Sequence, residues 1–426
     1  MSVLHPRRRQ RLAVPAVLLS VALITAACGD DSDDSGGSGD SASGGDTSEV
    51  LGELDEPTGE PVKVGWMSTG QTQAVDTTDE IRGAEMAVAY ANAHLGGLGG
   101  RPIELVICED KGTPAGAQAC GNEFVSEEVV AVSSGSSSAA DAAVQVVDPA
   151  GIPFTANQAA TATILGAENA FVFTNPISAF GTPAAFAREE GITTAAVLVI
   201  DVPGAAGPAN ALAPSFFSNA DAEVEVVAIP PGTADMTPQV QSAQENEPGL
   251  YHLAGDPTFC SSALRAIRTL GIEAEITMLD RCIADDGGAS VPGGYEGITI
   301  IAQAVQDPED EQYQIYTAAL EEYGDGLEDS ADARSGYAGM LGLISGVNAS
   351  EPTELTSPSI IAALRGMPPV PLPLGGGATY QCNGQALTAI SPNACSTASF
   401  VADADAEGQL SNYRALDAEG IYELGA

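Results

Sequence analysis

From Pro61 onward, short apolar runs and amphipathic stretches take turns along the chain, and this alternation restricts the fold more than any other feature. PVKVGWM puts Val62, Val64 and Trp66 on one side of a strand. Ile81, Ala84, Val88, Ala91 and Leu95 then recur at three- and four-residue steps, a helix opened by Thr78 or Asp79 and stopped by Gly96 and Gly97. Further strands are expected at PIELVICED, VVAVSSG, IPFTA and AFVFTN, with helices near 114–126 and 138–150. A second cycle follows: helix TPAAFAREEG, strand TAAVLVID, helix 207–219, strand EVEVVAIP, helix 235–246, strand LYHLAGD, helix FCSSALRAIRTLG and strand AEITMLD. Strands that alternate with helices in this way predict an α/β class with parallel sheets covered on both faces. After ITIIAQAV come three helical segments and a Pro- and Gly-rich tail.

The first sixty residues do not share this pattern. Arg7, Arg8, Arg9 and Arg11 precede an apolar run from Leu12 to Ala27, about 16 residues, short of the roughly 20 that a membrane span needs. The run reads as a secretory signal peptide over 1–27. Thr25-Ala26-Ala27-Cys28 resembles a lipobox, with Thr25 where Leu is usual, so Cys28 is expected to carry lipid and to fasten the chain to a membrane. Residues 28–60 are rich in Gly, Ser and Asp and predict a flexible linker.

Charge narrows the partners. With 58 acidic against 15 basic residues and a net charge of −43, a surface for nucleic acid or anionic lipid is disfavoured. The remaining cysteines, Cys108, Cys120, Cys260, Cys282, Cys382 and Cys395, fall into three sequence-near pairs. In an oxidising compartment these read as three local disulfides, although six cysteines allow 15 pairings. No Cys-x-x-Cys occurs and only His94 and His252 follow the leader, so neither a metal nor a cofactor is expected.

Ligands of open α/β sheets lie beyond the carboxyl ends of the strands. One strand runs into Ser133-Ser134-Gly135-Ser136-Ser137-Ser138 ahead of a helix, where hydroxyls and free N–H groups suit a carboxylate, unless the serines merely cap the helix. The next strand leads to Asn157, Gln158, Ala159 and Thr161. In the second cycle Asp201, Asp256 and Asp280 end strands, where an acid receives an amine or serves as a helix cap. Catalysis finds little support: Gly135-Ser136-Ser137-Ser138-Ala139 lacks the last glycine of a nucleophile elbow, and no phosphate loop or dinucleotide fingerprint is present.

AYANAHLGGLGGRPIELVICED at 89–110, Ser136-Ser137-Ser138 after a strand, Gly151-Ile152-Pro153, Gly232-Thr233-Ala234-Asp235 and LRAIRTLGI at 264–272 together resemble the Leu/Ile/Val-binding-protein-like solute-binding proteins. The resemblance implies a type I periplasmic-binding fold, with two doubly wound lobes, three hinge crossings and a solute trapped between them for an ABC permease. It implies lobe 1 at 61–178 plus 305–370 and lobe 2 at 179–304 plus 371–426. It gives Ser136, Ala159 and Thr161 the solute carboxylate, with Ser137 a further candidate from the same serine run; it matches Asp256 to a second-lobe pocket position and puts the acid that clasps the amine near Asp280, and either Asp256 or Asp280 is expected to receive it. The expectation is therefore a monomeric, lipid-anchored, extracytoplasmic binder of a branched-chain or related amino acid that is not an enzyme. Its rivals are a secreted hydrolase using Ser136 or Ser137, and a ligand-sensing receptor domain for a polar solute such as an amide or aromatic acid.

Overall fold

The computed structural model describes residues 47–73, 75–159, 161–284 and 288–424. The leader over 1–27 and Cys28 lie outside them. The first sheet is built from β1 (Val62–Ser68), β2 (Ile103–Glu109), β3 (Val132–Ser134), β4 (Phe154–Ala156) and β5 (Ala170–Val172). All its pairings are parallel, in the order β2-β1-β3-β4-β5. Between its strands run α2 (Thr78–His94), α3 (Pro114–Ser126), α4 (Ala140–Val147) and the short α5 (Ala162–Gly166), after an initial α1 (Thr47–Leu51). Because helices cover both faces, β1 is buried along nearly its whole length. Val64 and Trp66 belong to one apolar layer and Met67 to the other.

The second cycle repeats the plan. α6 (Ser178–Glu190), β6 (Thr194–Ile200), α7 (Pro203–Asn219), β7 (Glu223–Ile229), α8 (Thr237–Ala243), β8 (Leu250–Ala254), α9 (Pro257–Thr269), β9 (Glu275–Leu279) and β10 (Ile298–Ala302) follow in turn. Their strands form the parallel order β7-β6-β8-β9-β10. The sequence pattern starts α6 at Thr182-Pro183, because proline suits a first turn. The helix instead begins four residues earlier with Pro183 inside it. Proline has no N–H for the carbonyl four residues back, and that carbonyl, of Ala179, lies against the buried ring of His252 on β8.

The chain then returns to the first sheet through α10 (Glu311–Tyr323), α11 (Ala331–Asn348) and α12 (Ser357–Gly366). α11 lies close on α2 through two glycines. A Cβ on Gly83 would fall 2.2 Å from the carbonyl oxygen of Ala333, and one on Gly336 would fall 1.9 Å from that of Glu80. The tail supplies a small ribbon, β11 (Val370–Pro371) with β12 (Thr379–Tyr380), and then β13 (Phe400–Ala404) and β14 (Leu410–Ala415). β13 joins β10 antiparallel and β14 joins β13 antiparallel, and so they depart from the parallel pattern. A short turn links them, held by Asp405 Oδ1 accepting from the N–H groups of Glu407 and Gln409, and so short a link permits only an antiparallel pair.

The chain thus passes between the two sheets after β5, after β10 and before β13. The third passage comes late: Leu372, Leu374, Tyr380, Cys382 and Cys395 all sit in the core shared with the first sheet.

Residues 47–60 also differ from a loose linker. Leu51 is buried, the Asp55 N–H donates to the Ala93 carbonyl at 2.9 Å, and Arg101 donates to the carbonyls of Glu60 and Pro61. One buried leucine and a set of backbone bonds hold this stretch to the first half, although acids, Gly and Thr dominate its sequence. Disulfides join Cys108 to Cys120, Cys260 to Cys282 and Cys382 to Cys395. None of the described helices is long and apolar enough to cross a membrane.

Candidate functional site

Both parallel sheets reverse their strand order once, between β1 and β3 and between β6 and β8. Loops leaving the carboxyl ends diverge at such a point and open a crevice. A cleft of about 890 Å³ lies where the two sets of strand ends meet. The first sheet and the helices packed on it contribute Ser136, Asn157, Gln158 and Ala159, together with Asp332, Ser335 and Ala338 of α11. The second half contributes Ile177, Phe180 and the small face of α7 at Ala205, Pro208, Ala211 and Leu212, with Ala254, Leu279, Asp280 and Arg281 at its strand ends. Gln303 follows β10 in one of the crossings, and Gln158 Nε2 donates to its Oε1, joining a loop of the first sheet to that crossing.

Three of the expected site residues meet here, Ser136, Ala159 and Asp280. The other three make local hydrogen bonds elsewhere. Ser137 donates to the buried carboxylate of Asp110 and accepts from the Ala139 N–H at 3.0 Å. Thr161 caps α5, accepting from the Ile164 N–H at 3.2 Å and donating to Asp141 at 2.6 Å. Asp256 is exposed and caps α9, accepting from the Phe259 N–H at 2.8 Å.

Behind Ser136 stands a residue that the sequence reading did not single out. Glu80, on the first turn of α2, is fully buried. Its Oε2 accepts from the Ser136 N–H at 2.7 Å, and its Oε1 accepts from the Ser136 hydroxyl at 3.1 Å and the Ser335 hydroxyl at 2.9 Å. Burial pushes its carboxyl up to about 7 against the pull of these donors, and the nearby Asp332 adds to the rise. Gly135 makes room: a Cβ there would fall 2.2 Å from the Glu80 carboxyl carbon. Glu80 was visible as a charge four residues before Ala84, at the head of the buried stripe of α2.

Asp332 lines the cleft half-buried, and no described side chain or N–H bonds to its carboxylate. Desolvation, with the charges of Asp79 and Asp76, raises its pKa. Desolvation likewise raises that of Asp280, while the Arg281 N–H donates to its Oδ1 at 2.7 Å and the Arg281 and Arg334 charges pull the other way. Arg334 is also paired with Asp329. Cys282, bonded to Cys260 on α9, ends the same turn and fixes Asp280 and Arg281 against the sheet.

The two histidines serve the fold. His94 Nε2 meets the Tyr323 hydroxyl at 2.7 Å, and His252 Nδ1 meets Thr277 Oγ1 at 2.9 Å, with burial pushing its pKa down to about 3. Among the described residues no cluster of His, Cys, Asp and Glu could hold a metal.

Comparison with known proteins gives a consistent picture. A family model described as "Periplasmic binding protein" matches residues 61–394. No curated protein matches the chain. Among solved structures, a candidate branched-chain amino acid ABC transporter protein from Rhodospirillum rubrum aligns with a TM-score of 0.68 at 19% identity, covering 84% of this chain and 100% of that one. The branched-chain amino acid substrate-binding protein LivJ from Streptococcus pneumoniae, solved with isoleucine, aligns at 0.62 and 18% identity, covering 84% and 99%. A solute-binding protein from R. palustris in complex with 4-hydroxybenzoate aligns at 0.63 and 17%, covering 84% and 96%.

Proposed function

The chain belongs to the periplasmic binding protein family, and from that premise we propose that it captures a branched-chain or related amino acid, or a close amine analogue, in the cleft between its two sheets. Members of this family are extracytoplasmic, bind a small solute for an ABC permease and perform no bond chemistry, so a hydrolase using Ser136 or Ser137 is set aside. The observation that carries the reading is a cleft at the carboxyl ends of both switch points, walled by apolar side chains with a few polar groups from each half. The isoleucine and 4-hydroxybenzoate bound by structural neighbours are of a size and character that suit such walls.

In this reading lobe 1 comprises the first sheet, α10–α12 and the tail up to about residue 399, and lobe 2 comprises the second sheet with β13 and β14. A solute that touches both walls stabilises the closed arrangement by its added contacts, which is the whole of the mechanism. Ser136, Ala159 and Asp280 are its proposed contacts among the residues named from sequence. Asp332 and Arg281 join them, and Arg281 is the natural partner for a carboxylate. The protein acts as a monomer fastened through lipid on Cys28; a Cys28→Ala chain that stays in the membrane fraction contradicts the anchor.

A thermal-shift screen of the purified chain against amino acids, amines, amides and small acids tests capture itself. A solute that binds only the native form raises Tm in proportion to RT ln(1 + [L]/Kd). The expected result is a clear rise with branched or aliphatic amine-bearing solutes; no rise with any solute of the panel contradicts the reading.

A further inference from the structure

The hydrogen-bond pattern around Glu80 fixes what Ser136 and Ser335 can offer a solute in the first wall of the cleft, where Asn157 and Arg334, the latter held by Asp329, also take part. An ionised carboxylate only accepts, and a serine hydroxyl has one hydrogen. Ser136 spends both its N–H and its hydroxyl hydrogen on Glu80, and Ser335 spends its hydroxyl hydrogen there too. Both serines line the cleft, and with their hydrogens committed they can present only lone pairs to it. Asp332 lies three residues before Ser335 on α11, on the same face of the helix, and adds a carboxylate with no protein partner among the described residues. Every one of these groups accepts.

A carboxylate placed between the two serines and Asp332 would meet two oxygens and a negative charge, with the neighbouring Arg334 already engaged by Asp329. The serines could turn toward it only by leaving the fully buried Glu80 short of donors, which costs more than the new bonds return. The resemblance to amino-acid binders implies the opposite arrangement, with the serine hydroxyls donating to the solute carboxylate.

Resting on the reading of the cleft as a solute trap, we propose that Glu80 is a positioning residue that sets the polarity of this wall. By taking the hydrogens of Ser136 and Ser335 it makes them acceptors which, with Asp332, receive the ammonium or N–H end of the solute and exclude a carboxylate from that place. A carboxylate, where the solute has one, is turned toward Arg281 on the facing wall.

The test uses three probes on nearly the same branched body, isoamylamine, leucinamide and 4-methylvalerate, titrated by calorimetry at pH 8, above the value of about 7 at which Glu80 gains its proton. The expected result is at least about tenfold tighter binding of the amine and the amide than of the acid. Asp332→Asn lowers amine affinity about tenfold or more and does not weaken the acid. Glu80→Gln narrows the amine-to-acid ratio, because an amide donates as well as accepts and returns a hydrogen to the serines, an effect that a merely structural role for Glu80 does not produce. Should Glu80→Gln fail to fold, Asp332→Asn decides alone. Acid bound as tightly as amine, or no probe with an N–H group binding at all, overturns the proposal. If a donor-free solute from the wider screen does bind, capture stands and only the polarity falls, whereas failure of every solute removes the reading on which the proposal rests.

Discussion

The two walls of the cleft come from sheets with the same strand order, yet they are built differently. The first is polar and internally wired: Glu80 gathers Ser136 and Ser335, and Gln158 reaches Gln303. The second is small and apolar along α6 and α7, with charge confined to Asp280 and Arg281 on a turn fastened by the Cys260–Cys282 bond. The difference teaches how one fold can separate two tasks. A preorganised set of acceptors decides which end of a solute is recognised, while a smooth apolar face supplies contact area that is gained only on closure.

The comparison breaks first if the apolar wall takes no part in binding. Ala211→Trp places an indole on the exposed small face of α7 that lines the cleft. Solute affinity is expected to fall at least a thousandfold, about 4 kcal/mol, and calorimetry that finds affinity intact removes α7 from the site. Next comes the covalent brace. Replacing Cys260 and Cys282 together by Ser opens a link across 22 residues and is expected to cost about 3 kcal/mol of stability in urea, with solute affinity lowered as well because the Asp280–Arg281 turn loosens. The matching change at Cys108 and Cys120, neither of which lines the cleft, should cost stability without touching affinity.

The wired wall has its own signature in pH. Glu80 has its folded pKa raised from 4.5 to about 7, so between those values the native chain holds a proton that the unfolded chain has lost. Stability from this group is therefore complete below about pH 4.5 and declines as pH rises through 7, by about 2 kcal/mol between pH 5 and 8. Denaturation midpoints of the native chain and Glu80→Gln across that range should differ by this slope; identical slopes contradict the burial of an ionisable group there. The smallest effect is expected at Asp256. As a cap with an exposed carboxylate, its replacement by Ala should cost about 1 kcal/mol of stability and leave solute affinity unchanged, whereas a loss of affinity returns it to the binding site.

The same contrast explains what could be read from sequence. Period-two and period-3.6 patterns lie within single elements, so the strands from β1 to β10 and most helices were legible, and strand ends pointed to Ser136, Ala159 and Asp280. The run of six residues from Ser133 also named Ser137, but which serine faces outward depends on Asp110, more than twenty positions away. Asp256 and Thr161 carry the residue types of both a ligand contact and a helix cap, and only the geometry of the N–H groups of Phe259 and Ile164 separates the two. Glu80 and Ser335 were hidden for a further reason. Their meaning arises from α2 and α11 lying against each other through Gly83 and Gly336, a pairing between segments some 250 residues apart that no local pattern records. The small-residue wall of α7 was hidden in plain composition, since PGAAGPANALAP reads first as a weak helix with three prolines.

A crystal structure of the chain with the tightest solute from the screen tests the account most directly. The account predicts the solute between the two sheets, with a nitrogen within hydrogen-bond distance of Asp332 and of the Ser136 or Ser335 hydroxyl, and its apolar body against α7. A solute bound outside this cleft, or one whose carboxylate sits on Ser136 with Glu80 displaced, contradicts it.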